Sequence, residues 1–187
     1  LAANHLPVPD SVFTAMPDNV DSSLRILGEE YPIVIKMLNS TQGQGVILGE
    51  SHSASLSVAE AFIRLKEEIL LQRFIGESKG KDVRVFIVGG QVIAAMERSA
   101  QNGEFRSNLH RGASSHKIRI TSEEEEIALR AAQLMGLEVA GVDILRSNTG
   151  PLILEVNASP GLEGIEGTTG VDIASQIIRF VETNAKP

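Results

Sequence analysis

Three oxygen-bearing side chains near the C-terminal end form the pattern that most strongly indicates chemistry. Glu155 and Asn157 are two residues apart in a largely apolar strand, so they share one face of a sheet. A three-residue turn at 148–150, with Gly150 in the left-handed conformation, would place Asp143 opposite Glu155 on that face. Two carboxylates without cationic partners repel each other, and Mg²⁺ is typically held by one or two carboxylates together with substrate phosphates. The spacing therefore predicts a metal site, and the alternative is a solvated sheet face.

Lys36 places a cation inside the otherwise apolar strand 33–38. A buried ammonium is costly unless an anion meets it, so Lys36 is either a phosphate ligand or an edge-strand lysine whose amine reaches water. The loop that follows, 39–45, contains two glycines, which let a backbone approach phosphate oxygens closely. It is not a Walker A loop, because no Lys-Ser or Lys-Thr ends it and no helix follows. The loop predicts a hairpin flap that closes over phosphates; the alternative is a simple turn.

The stretch between Glu104 and Glu123 contains no acidic residue, although the net charge of the chain is −7. This local reversal of sign predicts an anion site, and the alternative is a basic loop that balances the acidic run Glu123–Glu126. Its basic members are Arg106, His110, Arg111, His116, Lys117 and Arg119. The four histidines of the chain show no metal-ligand spacing, and no serine is paired with a histidine and an acid.

The composition of the chain excludes several classes of protein and of site. A chain of 187 residues suits one ordinary domain or two small lobes. It contains 17 Lys and Arg against 24 Asp and Glu, and only 4% aromatic residues, so direct nucleic-acid binding is not expected. The absence of Cys excludes a disulfide scaffold, a thiolate metal site and a Cys nucleophile. No apolar run approaches the ~20 residues of a membrane span and no signal peptide is visible, so no membrane partner is expected.

The elements that must position these residues follow from periodicity and turn signals. Helices are predicted at 18–30, 54–68, 122–135 and 171–183, and strands at 33–38, 46–50, 69–75, 82–88, 91–98, 139–146 and 152–157. Ser122 and Glu125 predict a capping box for the third helix, and Gly136 predicts its end. Residues 99–116 and 159–170 are predicted as loops. Because hairpins dominate, the fold class is α+β with mainly antiparallel sheets rather than doubly wound α/β.

Taken in order, seven segments resemble the ATP-grasp superfamily and, more narrowly, the RimK-type α-L-glutamate ligases. They are 34–36, 40–46, 72–75, 82–85, 105–112, 141–144 and 154–162. The resemblance spans almost the whole chain, and Arg106-Ser107-Asn108-Leu109-His110-Arg111-Gly112 is its most RimK-like part. It implies two α+β lobes that grip ATP between them.

The resemblance also implies a division of the chain. The small lobe with the phosphate flap would be 18–75, and the large lobe with the metal site would be 76–187. The family carries a further N-terminal domain, and this chain starts abruptly, without Met. Residues 1–17, which begin as the tail of a helix that Pro7 and Pro9 stop, are therefore expected to be the connection from that domain.

The same resemblance assigns roles to residues. Lys36 would contact the ATP phosphates beneath a flap formed by Ser40, Thr41, Gln42, Gly43 and Gly45. Arg73, Phe74 and Ile75 would follow Gln72 in a hinge strand along the adenine, although Arg73 replaces a residue that is usually acidic. Asp82 would lie near the ribose, and Arg106, Ser107 and Asn108 would face the phosphates. Asp143, Glu155 and Asn157 would hold two Mg²⁺ or Mn²⁺ ions, and Arg98, Arg106 and Arg111 would be the catalytic residues.

The implied reaction is ATP-dependent amide formation through an acyl phosphate. The implied partners are ATP, L-glutamate and the acidic C-terminal tail of a small-subunit ribosomal protein, in the cytoplasm, and a homo-oligomer is compatible with the sequence. Three alternatives stay open. The chain could be an isolated or non-catalytic ATP-binding module, an ATP-grasp kinase that stops at phosphoryl transfer, or a ligase that acts on an amino-group carrier protein or a coenzyme tail.

Overall fold

The computed structural model describes residues 1–40, 44–101, 104–109 and 112–184. The chain divides into two compact units, one formed by Pro9–Ile75 and the other by Leu1–Val8 together with Gly76–Pro187. Residues 1–17 are thus shared between the two units. Within the described ranges, no helix combines the length and the apolar character that crossing a bilayer requires.

The unit Pro9–Ile75 contains one antiparallel sheet and two helices. Its strands are β1 (Ser11–Thr14), β2 (Ile33–Met37), β3 (Val46–Gly49) and β4 (Ile69–Arg73), in the order β1-β4-β2-β3. Its helices are α1 (Val20–Ile26) and α2 (His52–Arg64). Strand alternation buries Ile33 and Ile35 with residues of both helices, so Lys36 lies on the opposite face of the sheet.

The second unit is built on a five-stranded antiparallel sheet. Its strands are β5 (Lys81–Val88), β6 (Gln91–Ser99), β7 (Ser114–Lys117), β8 (Val139–Ser147) and β9 (Gly150–Asn157), in the order β7-β6-β5-β8-β9. The helices are α3 (Ser122–Leu134), α4 (Glu163–Thr169) and α5 (Ile173–Asn184).

Helices cover both faces of this sheet. The odd-numbered residues of β5 pack against α3 in a core that comprises Val83, Val85, Ile87, Ile127, Ala128, Ala131, Val142 and Ile144. The even-numbered residues near the end of β5 face the other way and pack against α4 and α5, in a core that comprises Phe86, Val88, Ala94, Met96, Ile165 and Ile173. Because side chains alternate along β5, its two faces belong to two separate cores.

In the β8–β9 hairpin, Asp143 pairs with Glu155 as predicted, although the turn differs from the predicted one. Ser147 pairs with Gly150, so the turn has two residues rather than the predicted three. The register then shifts by one between Asp143 and Ile144, where Leu154 is the extra residue on β9, and Asp143 lies opposite Glu155. The bulge compensates for the shorter turn, because a one-residue slip would otherwise have moved Glu155 to the other face.

Three elements lie where loops or a connection were predicted. β1 and β7 are only four residues long, and a strand that short carries almost no periodic signal. α4 contains Gly164 and Gly167, which are poor helix formers. Tertiary contacts stabilise it instead, because Ile165 is buried and the Glu166 carboxylate accepts hydrogen bonds from the backbone of Ile173 and Ala174 at 2.7 and 2.9 Å.

The capping box of α3 begins one residue earlier than predicted. The Thr121 hydroxyl accepts a hydrogen bond from the Glu124 backbone at 3.1 Å, and the Glu124 carboxylate accepts one from the Thr121 backbone at 2.8 Å. Glu124 is almost fully buried because it also binds Arg146 of β8 through two hydrogen bonds. The predicted cap, Ser122, is the first residue of the helix and is exposed.

This arrangement predicts the effect of removing the cap. Thr121→Ala should lower the free energy of unfolding by about 1 kcal/mol, because the backbone donor at the helix terminus loses its acceptor. Ser122→Ala is the matched control and should leave the free energy of unfolding within about 0.5 kcal/mol of wild type. Urea denaturation followed by circular dichroism measures both, and equal effects of the two substitutions would contradict the assignment.

Candidate active site

Polar side chains occupy one end of the sheet face that is opposite α3. In an antiparallel sheet, cross-strand partners point to the same side, so the register fixes the membership of this group. The relevant pairs are Asp82 with Arg98, Arg84 with Asp143, Asp143 with Glu155, and Gly141 with Asn157. Since α4 and α5 pack on the apolar residues nearer the other end, this end of the face is left to charged groups.

Two aspartates and two arginines form a charged cluster, which consists of Asp82, Arg84, Arg98 and Asp143. Arg98 Nε donates to Asp82 Oδ1 at 2.7 Å, and Arg98 Nη2 contacts both Asp82 Oδ2 and, at 2.8 Å, Asp143 Oδ2. Arg84 binds Asp143 in a bidentate manner, through Nε to Oδ1 and through Nη2 to Oδ2 at 2.7 Å. The cluster therefore runs across three adjacent strands as an alternating chain of charges.

Burial and pairing move the two aspartate pKa values in opposite directions. Burial, with repulsion from Asp143, raises the pKa of Asp82 above its ordinary value, and the hydrogen bonds from Arg98 and Ser107 only partly offset this. Burial would also raise the pKa of Asp143, but the two arginines outweigh it and hold that pKa below its usual range. The pKa of Arg98 is raised, because the attraction of both aspartates exceeds the cost of burying its charge.

The three predicted metal ligands differ in their surroundings. Asp143 is buried and bound by two guanidinium groups, so the premise that these carboxylates lack cationic partners is wrong for Asp143. Glu155 is exposed and Asn157 is half-buried. Asn157 Nδ2 is 3.5 Å from the Gly141 carbonyl oxygen, which turns the amide oxygen away from that carbonyl.

This donor set fits a hard divalent cation in its chemistry. Carboxylate and amide oxygens are the ligands that Mg²⁺ accepts, and one or two carboxylates suffice when substrate phosphates supply the rest. Within the described residues, no group of three His, Cys, Asp or Glu side chains could hold a metal ion. A cation at this face would therefore depend on two carboxylates, the Asn157 amide oxygen and oxygens from a bound substrate.

The segment 104–109 belongs to the same unit as the sheet, and hydrogen bonds between its own side chains stabilise it. Arg106 binds the Glu104 carboxylate through Nε at 2.9 Å and Nη2 at 2.6 Å, and these bonds lower the pKa of Glu104 to about 2. The Ser107 hydroxyl bonds to Asp82. A Cβ on Gly164 of α4 would lie 2.5 Å from Leu109 Cδ1, so the segment packs closely on that helix. Asn108 is half-buried, while His110 and Arg111 lie outside the described residues.

Lys36 lies in the interior of the four-stranded sheet rather than at its edge. β2 pairs with β3 on one side and β4 on the other, and Lys36 is opposite Val46 and Leu70. The edge-strand explanation for this lysine is therefore wrong, and its side chain is half-buried on the face away from α1 and α2. A half-buried ammonium is favourable only where anionic or polar groups meet it.

The described part of the predicted flap is held by backbone acceptors. The Ser40 hydroxyl contacts the carbonyl oxygens of Met37 at 3.1 Å and Gln44 at 2.5 Å. Gly45 has a φ of +62°, and a Cβ there would lie 2.6 Å from Met37 Sδ, so only glycine fits. Thr41, Gln42 and Gly43 lie outside the described residues.

The predicted hinge strand begins at the end of β4. Gln72 is buried and its amide donates to the Ser11 hydroxyl at 2.9 Å. Arg73 forms ion pairs with Glu30 and, at 3.5 Å, with Asp10, so its side chain is engaged by acids of its own unit. Phe74 is half-buried and Ile75 is buried.

Sequence reasoning did not identify Arg84 as a site residue. The signal was available, because Asp82 and Arg84 alternate on β5 in the same way as Glu155 and Asn157 on β9. A second ionic group on the α3 side of the sheet was missed as well. There Glu97 contacts Lys81 at 2.9 Å and Arg146 at 3.2 Å, and Arg146 continues to Glu124.

Known proteins resemble this chain along its length. A probable α-L-glutamate ligase of Nitrosococcus oceani is 56% identical over 99% of the chain, and one of Hydrogenovibrio crunogenus is 54% identical over all of it. The chain spans 61% and 62% of the length of these two relatives. The structure of the ATP-grasp ligase PsnB, complexed with a phosphomimetic variant of its minimal precursor, Mg and ADP, superposes with a TM-score of 0.74 at 25% identity. That comparison covers 99% of this chain and 56% of PsnB.

These similarities agree with the geometry described above. The structural likeness and the two antiparallel sheets confirm the predicted α+β ATP-grasp fold. The family of RimK-like ATP-grasp domains matches residues 1–181, which is nearly the whole chain. The chain therefore belongs to the RimK-like ATP-grasp family.

Proposed function

We propose that this protein is an ATP-dependent carboxylate–amine ligase that adds L-glutamate to the C-terminus of an acidic acceptor. Membership of the RimK-like ATP-grasp family supports an ATP-dependent ligase, and the names of the two relatives support glutamate as a substrate. The observation that carries the proposal is the sheet face on which Asp143, Glu155 and Asn157 converge beside the charged cluster. A set of oxygen donors next to buried arginines suits a metal-bound triphosphate.

Magnesium is the proposed metal, since the similar ATP-grasp ligase PsnB is complexed with Mg and ADP. Asp143, Glu155 and Asn157 would hold it, and we propose two ions, either Mg²⁺ or Mn²⁺. When bound, they supply charge neutralisation at the phosphate oxygens during transfer. Lys36, the Ser40–Gly45 flap, Arg106, Ser107 and Asn108 are proposed to bind the phosphates, Asp82 the ribose, and the backbone of Arg73, Phe74 and Ile75 the adenine.

The proposed reaction has two steps and needs no side-chain nucleophile. An oxygen of the acceptor carboxylate attacks the γ-phosphorus, the bond to the β–γ bridging oxygen breaks, and ADP leaves. The amine of glutamate then attacks the acyl carbon, a proton leaves the nitrogen, and inorganic phosphate departs. The work of the chain is positioning and charge stabilisation, which matches a sequence without Cys and without a Ser-His-acid group.

The arginines proposed as catalytic have different surroundings. Arg98 is held between Asp82 and Asp143, so its guanidinium is fixed in the cluster. Arg106 is held by Glu104 and would have to leave that carboxylate to meet a phosphate. Arg111 belongs to the same proposal on the strength of the family resemblance alone.

The proposed acceptor is the C-terminal tail of a ribosomal protein, in the cytoplasm, where ATP and glutamate are abundant. The basic residues between Arg106 and Arg119 would suit an anionic tail. Assembly into a homo-oligomer stays a prediction.

The direct test uses the full-length protein with ATP, Mg²⁺, glutamate and synthetic peptides that end in glutamate. Mass spectrometry should show additions of whole glutamyl residues, together with ADP and free phosphate in equal amounts. A stable phosphorylated peptide would instead identify a kinase, and ATP binding without acceptor-dependent ADP release would identify a non-catalytic module. If glutamate is added to a carrier protein or a coenzyme tail but not to these peptides, that molecule is the acceptor instead of the ribosomal protein tail.

Asn157→Ala tests the metal ligands. The substitution should lower kcat/KM for glutamylation by about 10²-fold, because one oxygen donor at the reacting phosphates is lost. The melting temperature should change little, since Asn157 is half-buried and its hydrogen bond to the Gly141 carbonyl oxygen is long. The matched control is Asn148→Ala in the exposed β8–β9 turn, which should keep wild-type activity. Wild-type activity in the Asn157 variant would remove this residue from the site.

Lys36→Met tests the phosphate contact. ADP should bind about ten- to a hundredfold more weakly, which corresponds to the loss of a charged hydrogen bond. Isothermal titration calorimetry measures this, with the exposed Lys66→Met of the same unit as the control. If both variants bind ADP equally well, the half-buried ammonium serves a purpose other than nucleotide binding.

A further inference from the structure

The charged cluster has no net formal charge as it stands. Asp82 and Asp143 contribute two negative charges, and Arg84 and Arg98 balance them. A divalent cation that approached this neutral group would gain little net attraction from it. If one arginine withdraws, the other three members of the cluster carry one net negative charge, which attracts a divalent cation.

The acceptor positions of Asp143 are also largely filled. A carboxylate offers about four lone-pair positions. Arg84 takes one on Oδ1 and one on Oδ2, and Arg98 takes a second on Oδ2. One acceptor position therefore remains on Oδ1, and Asp143 can bind a metal through both of its oxygens only when a guanidinium group moves.

The two arginines are not equally able to move. Arg98 divides its bonds between Asp82 and Asp143, and its side chain is only 6% exposed. Arg84 directs both of its charged hydrogen bonds to Asp143 and is the outermost member, with 14% of its side chain exposed. Its stem crosses β8 at Gly141, where a Cβ would lie 3.4 Å from Arg84 Cδ. If Arg84 moves, only its pairing with Asp143 is lost. If Arg98 moves, both buried aspartates lose a partner.

We propose that Arg84 is the resident counter-ion of Asp143 in the metal-free protein and gives way when the metal binds. Arg84 thus stabilises the protein in the absence of metal and lowers its affinity for the metal. This inference rests on the proposed metal site and assigns to Arg84 a role that opposes metal binding. A purely structural clamp would act in the other direction, since its loss would disorder Asp143 and weaken metal binding.

The test compares Arg84→Gln, which keeps a donor but loses the charge, with Arg84→Lys, which keeps the charge. Mn²⁺ is titrated into the full-length protein with and without ADP, and the electron paramagnetic resonance signal of free Mn²⁺ reports binding. Arg84→Gln should bind Mn²⁺ roughly tenfold more tightly than wild type, the scale of one partly buried charge. Arg84→Lys should stay within about threefold of wild type.

Thermal denaturation supplies the second readout. Without metal, Arg84→Gln should melt at a lower temperature than wild type, because Asp143 keeps its buried charge but loses its bidentate partner. The increase in melting temperature on adding Mn²⁺ should be larger in Arg84→Gln than in wild type, because the stabilisation by a ligand grows with the logarithm of its affinity. A variant that is less stable and also binds Mn²⁺ more weakly would overturn the inference.

Asp143→Asn separates this inference from the function on which it rests. If Asp143→Asn binds Mn²⁺ as well as wild type does, the metal site itself is misplaced and the proposed function loses its ligand set. If Asp143→Asn loses Mn²⁺ binding while Arg84→Gln binds no more tightly than wild type, the site stands and the counter-ion role of Arg84 is wrong.

Discussion

The need to neutralise buried charge in the middle of a sheet face governs this molecule. Asp82 and Asp143 lose their water on folding, and an isolated buried carboxylate is strongly disfavoured. Their counter-ions come from directly opposite positions on the neighbouring strands, Arg98 from β6 for Asp82 and Arg84 from β5 for Asp143. A slip of one residue in either pairing would move a whole strand to the other face and leave unpaired charges in the interior. Electrostatics and apolar burial therefore select the same register.

The end of the sheet that carries the charged cluster is held from both sides. Glu97 and Lys81 are the chain neighbours of Arg98 and Asp82, so strand alternation points them to the α3 face, where they contact each other. Arg146 extends this second group to Glu124, whose carboxylate also closes the capping box of α3. The strands that present the cluster on one face are thus tied to a helix terminus through the other. Rigid support of this kind is what a site built on strands requires for fixed geometry.

Local sequence patterns predicted most helices and strands, but not the exact residues at which they begin or pair. Thr121-x-x-Glu124 and Ser122-x-x-Glu125 match the same capping pattern, and only the contact between Glu124 and Arg146 decides between them. The Asp143–Glu155 pairing was predicted correctly from a wrong turn, because the bulge at Leu154 supplies the residue that the turn lacks. Arg84 was missed because its partner is 59 residues away and a strand arginine has no local signature. Lys36 was recognised as unusual, yet its interior position depends on β4, which follows more than 30 residues later.

A carboxylate that binds a metal must also be tolerated when the metal is absent. The two carboxylates of the proposed metal site meet that requirement in different ways. Glu155 is exposed, so water solvates its carboxylate. Asp143 is buried, and its arginines keep it ionised where burial alone would favour protonation. As proposed ligands, the buried Asp143 would give a cation a dehydrated, well-oriented oxygen, and the exposed Glu155 would give it a route from solvent. Because the two carboxylates face each other across one bulged hairpin, a single local feature of the chain brings both properties to the same point.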